Sequence, residues 1–142
     1  MKFTFDTAKL EQALSATKEK LRDAARPAAQ AGAQVIYDAA RINAPMSDKS
    51  HIFHIRGKKY GPFAPGTLRN SIYQVFSKSE STDAKAVYQV SWNFRKAPYA
   101  FMVELGTSRS PAHSFLGKAL REKKTAALKA IKDTYIAEVA KP

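Results

Sequence analysis

Three histidines, one isolated glutamate and a scatter of lysine and arginine are the side chains here whose type and spacing could do chemistry. His51 and His54 stand three apart, which on a helix would bring both rings to one face as metal ligands, with His113 a distant third. Zinc takes three or four ligands and the chain has no cysteine, so the pair, with Ile52 and Phe53 between, reads instead as a segment that packs against a partner. No metal and no other cofactor is expected. Glu104 is the sole acid between Asp83 and Glu122 and lies in an apolar run, where a carboxylate has to be paired or hydrogen-bonded. Two partners are open to it: a basic group on a neighbouring subunit, or the backbone amides of its own turn at Gly106, Thr107 and Ser108. The local turn is preferred, because short-range bonding to nearby amides is a common device for such a side chain. Glycoside chemistry needs a second acid close by. Phosphate transfer needs a glycine-rich cradle and acyl transfer a serine elbow, and neither pattern occurs, so no catalysis is expected.

Charge is the unusual quantity. Lysine and arginine number 24 against 12 aspartate and glutamate, a formal net charge of +12. Such an excess attracts polyanions: nucleic acid, an acidic protein surface or anionic lipid. Arg56, Lys58 and Lys59 interleave with Tyr60 and Phe63, as in nucleic-acid-binding arms, and the same composition suits docking onto an acidic protein ring. Arg69, Arg109, Lys118, Arg121 and Lys124 are further candidates for contact with DNA or an acidic partner. The aromatic row Tyr88, Trp92 and Phe94 reads as core, since Ala86 and Val90 share its face.

These side chains have to be positioned by one domain, because 142 residues are too few for two independent cores. The longest apolar run, 97–103, is seven residues and contains Pro98, well short of the ~18 of a membrane span. No signal-peptide core follows Lys2, and the protein is expected to be soluble and to touch no membrane. After an N-cap at Asp6 or Thr7, Leu10, Leu14, Thr17 and Leu21 mark one helical face. Arg26 and Pro27 predict a break or kink, after which Ala31, Val35, Ala39 and Ile42 continue the stripe to Pro45.

Residues 46–66 show no sustained period and read as a long basic loop or mobile arm, with a short hairpin around 51–55 as the alternative. Strands are predicted at 71–76 and 86–94, antiparallel, with a polar connection between them. A short helix over 97–105 and a turn at 106–111 precede a long final helix capped by Ser114. Its stripe is Leu116, Leu120, Ala127, Leu128, Ile131, Tyr135 and Val139. The fold class is therefore α+β, a small antiparallel sheet packed against an N-terminal helical segment and a long C-terminal helix.

At 98–107 the chain reads PYAFMVELGT, followed by Pro111 and Ala112, then Phe115, Leu116, Ala119 and Leu120. In this order it resembles the small tail-completion or head–tail joining proteins of long-tailed bacteriophages. Their pattern runs from a tyrosine-alanine pair through glutamate, a hydrophobic residue, glycine and threonine to a proline-phenylalanine element that opens the last helix. An alanine-rich helix ending in Asn43, Ala44 and Pro45 agrees, as does the GTLR step at 66–69 with Ser71 and Ile72 behind it. The likeness covers roughly residues 28–128. It departs where residues 46–65 look like an insertion, where His113 and Ser114 stand in place of a proline, and at Gly117, early in a helix.

The resemblance implies a structural virion protein of the neck or tail, made in the host cytoplasm. It would complete the head-proximal end of the tail, join tail to head, and form a ring around the DNA channel, a hexamer by the family's pattern. Its partners would be copies of itself, neighbouring connector and tail proteins, and channel DNA. Tyr99, Glu104, Gly106, Thr107, Phe115 and Leu116 would then lie at the subunit interface. Two other functions remain open: a stand-alone basic nucleic-acid-binding module, and a tail-terminator or minor tail protein.

Overall fold

The computed structural model describes residues 7–82 and 85–142, with side chains described from residue 12 onward apart from 13 and 14. The element order is α1 (Thr7–Asn43), β1 (His51–Ile55), β2 (Lys58–Phe63), α2 (Thr67–Ser71), β3 (Ile72–Phe76), β4 (Tyr88–Trp92), α3 (Ala100–Leu105) and α4 (Phe115–Val139). The class is α+β, as the patterning predicts. Asp6 and the side chains of Leu10 and Leu14 lie outside the described residues. Among those described, no helix is long and apolar enough to cross a membrane.

Two long helices form the frame. α1 and α4 run antiparallel: Asn43 at the end of α1 donates to the Phe115 carbonyl at the start of α4, and Tyr135 donates to the Leu21 carbonyl at 2.8 Å. Between these ends the backbones approach closely at the buried Gly32, where a Cβ would stand 2.6 Å from Ile131. Small residues permit this, and α1 contributes Ala24, Ala28, Ala39 and Ala40 to the buried set, with Ala119 and Ala127 from α4.

Of the break or kink expected near Arg26, the break does not occur, for α1 passes through Pro27 as one helix of 37 residues. Ala24 and Ala28, each 1% exposed, flank the proline and hold both sides of it in the core, so packing outweighs the missing amide. Arg26 itself turns to β3 and β4, its guanidinium 4.1 Å from the centre of the Phe76 ring and near the Tyr88 hydroxyl.

Among the described residues the β-structure is two separate two-stranded antiparallel sheets, where the patterning predicts a single small sheet. β3 and β4 pair from Ile72 opposite Trp92 to Phe76 opposite Tyr88. Ile72 is buried, and Trp92 packs edge-on against Phe115, the largest fully buried side chain among the described residues. Phe94 leaves the expected aromatic row: β4 ends at Trp92, and Phe94 is exposed beyond it.

Residues 51–63, expected as a loop with a hairpin as the alternative, form the β1–β2 hairpin. Arg56 at φ 51° and Gly57 at φ 77° make its two-residue turn; positive φ at both positions is what a type I′ turn requires. The α4 stripe also needs correction. Leu120 and Leu128 are exposed, because Phe115, Ala119 and Ala127 are the residues turned into the core. The two leucines instead border an open groove with Ile36, Val87 and Leu116.

Candidate functional site

The hairpin and the 98–116 segment, far apart in sequence, meet at Tyr99. This ring is buried where the chain enters α3, with Phe53 of β1 stacked on it at 4.3 Å and 6° between planes. Phe63 of β2 closes the cluster at 4.8 Å from the same ring. Burial in this aromatic setting raises the Tyr99 pKa above its ordinary 10.0. Phe53 and Phe63 are thus committed to the chain's own core, and the arm expected to be mobile is anchored at its base.

Beside the cluster opens a cavity of about 470 Å³ between the hairpin, α3 and the 107–113 loop. Met46, Phe53, Phe63, Leu68, Tyr99 and Val103 make its apolar wall, and His51, Thr107, Ser110 and His113 stand at its polar side. His51, Phe53, Phe63, Tyr99 and Thr107 from the sequence reading therefore converge on one cleft. His51 and His54 lie on a strand, where a three-residue spacing does not bring side chains together as it would on a helix. Among the described residues no group of three histidine, aspartate or glutamate side chains could hold a metal ion.

Glu104 has a different partner from its expected turn. Its carboxylate accepts the Leu116 amide at 3.0 Å, the Gly117 amide at 2.9 Å and the Ser114 hydroxyl at 2.7 Å. A side chain of α3 thereby satisfies the free amides at the start of α4, where negative charge also meets the positive end of the helix dipole. Ser114 occupies the cap position but makes no cap bond of its own to the backbone. Gly117, costly in a helix, is explained by the same contact: a Cβ there would lie 2.5 Å from the Ser114 hydroxyl and 3.1 Å from Glu104 Oε1.

Gly106 ends α3 at φ 79°. Thr107 organises the turn after it, its hydroxyl accepting the Arg109 and Ser110 amides and its amide donating to the Ser110 carbonyl. The His113 amide then donates to the Val103 carbonyl at 2.8 Å, tying the loop to α3 and delivering Phe115 to the core. Leu116 is half-buried beside Glu104. The 98–116 segment is thus a continuous brace between α3 and α4.

The candidate basic contacts are dispersed. Arg69 lies on α2 and lines a groove with Tyr37, Asp38, Arg41 and Ile42; its Nε is buried without a hydrogen-bond partner. Arg109 is exposed in the 107–113 loop, and Lys118, Arg121 and Lys124 are exposed along α4. At the hairpin, His54, Arg56, Lys58 and Lys59 are all exposed, with Lys58 Nζ 5.6 Å from the centre of the Tyr60 ring.

Sequence reading missed the outward face of α3, where Phe101 and Leu105 stand one turn apart, and Leu105 is 76% exposed. An apolar run signals burial without saying by what, so only the docked helix distinguishes Ala100, turned inward, from these two. No family model, curated protein or solved structure matches this chain.

Proposed function

We propose that this chain is a structural subunit of a long-tailed phage virion. It completes the head-proximal end of the tail or neck and joins tail to head as a ring of identical copies around the DNA channel. The reading rests on the motif order at 98–120, and one structural observation carries it further. The buried core is built largely of alanine, while Ile42, Met46, Ile52, Phe101, Leu105 and Leu120 are exposed. A monomer gains nothing from placing large apolar side chains in water and small ones inside. A subunit that buries the same side chains against its neighbours does.

In this reading no bond is made or broken. The hairpin is a preformed arm whose base packs on Tyr99 and whose tip is offered to a partner, and copies associate through apolar faces such as that of α3. Six copies is the number the resemblance implies. The test is electron microscopy of lysates from an infection in which this gene is silenced, beside a complemented control. Filled heads separated from tails are the expected result. Normal infectious particles would overturn the reading.

A further inference from the structure

The positive charge of this protein is unevenly neutralised. Along α4, Lys118 has Glu122 one turn away at 3.9 Å and Lys129 has Asp133 at 3.3 Å, while Arg121, Lys123, Lys124 and Lys132 are spread along the helix outside these ion pairs. Lys141 at the end of the chain is held by Glu138 at 2.8 Å. Among the described residues, no ion pair involves His54, Arg56, Lys58 or Lys59, which crowd the tip of the β1–β2 hairpin. The segment 49–66 contains no aspartate, glutamate, asparagine or glutamine, so nothing within it offsets those charges.

The aromatic residues of the hairpin define what such a tip can bind. Phe53 and Phe63 are stacked inward on Tyr99, and the half-buried Tyr60 has Lys58 over its ring. Neither phenylalanine ring is free to stack on an unpaired base, which is how single strands are held, and the exposed rings that remain are the small imidazoles of His51 and His54. Protein interfaces are anchored by an aromatic or aliphatic side chain in a pocket, and the turn itself, from Arg56 to Lys59, offers none. Point charges without an apolar anchor or an amide side chain suit phosphate oxygens. Arg56 occupies a position of positive φ where asparagine and glycine are favoured, and there it extends the charge to the end of the ribbon.

The geometry points to the tip of the β1–β2 hairpin, through Arg56, Lys58 and Lys59, as a contact for the phosphate backbone of double-stranded DNA without sequence preference. A two-stranded ribbon is of a size that the major groove, about 12 Å wide, admits. The biological setting of this contact, channel DNA inside a ring, rests on the proposed function; the contact itself does not.

The test is fluorescence anisotropy with the full chain and a labelled random-sequence duplex, between about 50 and 200 mM salt. R56N/K58Q/K59Q is compared with K123Q/K129Q/K132Q, which loses the same charge from exposed positions of α4. Asparagine at position 56 keeps a residue that tolerates the turn, and circular dichroism checks that both variants fold. The expected result is duplex binding that weakens by roughly tenfold or more in the tip variant at low salt. The slope of log affinity against log salt should become shallower by about 3, with little change in the α4 variant. Equal losses in the two variants would overturn the assignment, as would wild-type binding to a single strand or to polyglutamate that matches the duplex. Tip-dependent duplex binding together with normal particles after silencing would sustain this contact and remove the ring. Separated heads and tails with no duplex binding would do the reverse.

Discussion

Glu104 Oε1 accepts the Gly117 amide at 2.9 Å, so a carboxylate of one helix caps another that begins eleven residues later. This bond makes α3, the loop and the first turn of α4 a single mechanical unit. Replacing Glu104 with alanine leaves the Leu116 and Gly117 amides and the Ser114 hydroxyl without their acceptor. The variant should lose about 2 kcal/mol in urea unfolding, and glutamine, which retains one acceptor oxygen, should lose less.

Gly117→Ala would stabilise most helices by up to about 1 kcal/mol. Here the sign should reverse, because the new methyl displaces the Ser114 hydroxyl from Glu104. In a Ser114→Ala background the shortest of these contacts is gone and Glu104 Oε1 remains at 3.1 Å, so Gly117→Ala should cost less than it does in the wild type. A double-mutant cycle of thermal midpoints reads the coupling directly.

Tyr99 anchors the hairpin through Phe53 and Phe63. Tyr99→Ala should cost about 3–5 kcal/mol and abolish amide-exchange protection in β1 and β2 before that of α1 and α4. For the same reason, deleting 50–63 would uncover the core, whereas substitutions confined to the tip leave it intact.

Burial holds the folded-state pKa of Tyr99 above its unfolded value. The stability contributed by the neutral phenol is therefore complete below the unfolded pKa near 10.0 and is lost as pH rises through the higher folded value. Ultraviolet titration should show one tyrosine ionising later than the rest, and Tyr99→Phe should remove that late step along with its share of the alkaline loss.

Leu105 is 76% exposed, so Leu105→Glu should leave unfolding within about 0.5 kcal/mol of the wild type. If α3 meets a neighbouring copy, the same substitution should fail to complement a silenced infection, with heads and tails accumulating unjoined. Full complementation would remove this face from the interface.

Local pattern alone determined the α+β class, the antiparallel β3–β4 pair, the short helix before Gly106 and the long helix after Ser114, because periodicity and turn residues act over a few positions. It also marked Glu104 as a side chain needing a partner. Tertiary structure decided which partner, since the amides of Leu116 and Gly117 reach Glu104 only once α3 and α4 are packed. It carried α1 through Pro27, as burial of Ala24 and Ala28 outweighed one absent hydrogen bond. Packing likewise ordered the hairpin, whose strands are too short for a clear alternation and are held by Phe53 and Phe63 on a tyrosine from a distant part of the chain. The apolar residues of α3 and α4 were legible as apolar, but the side on which each would lie was not. Close approach of the small residues on the two long helices claimed the inward positions and left Leu120 and Leu128 facing out, and on α3 the inward position went to Ala100 and left Leu105 exposed.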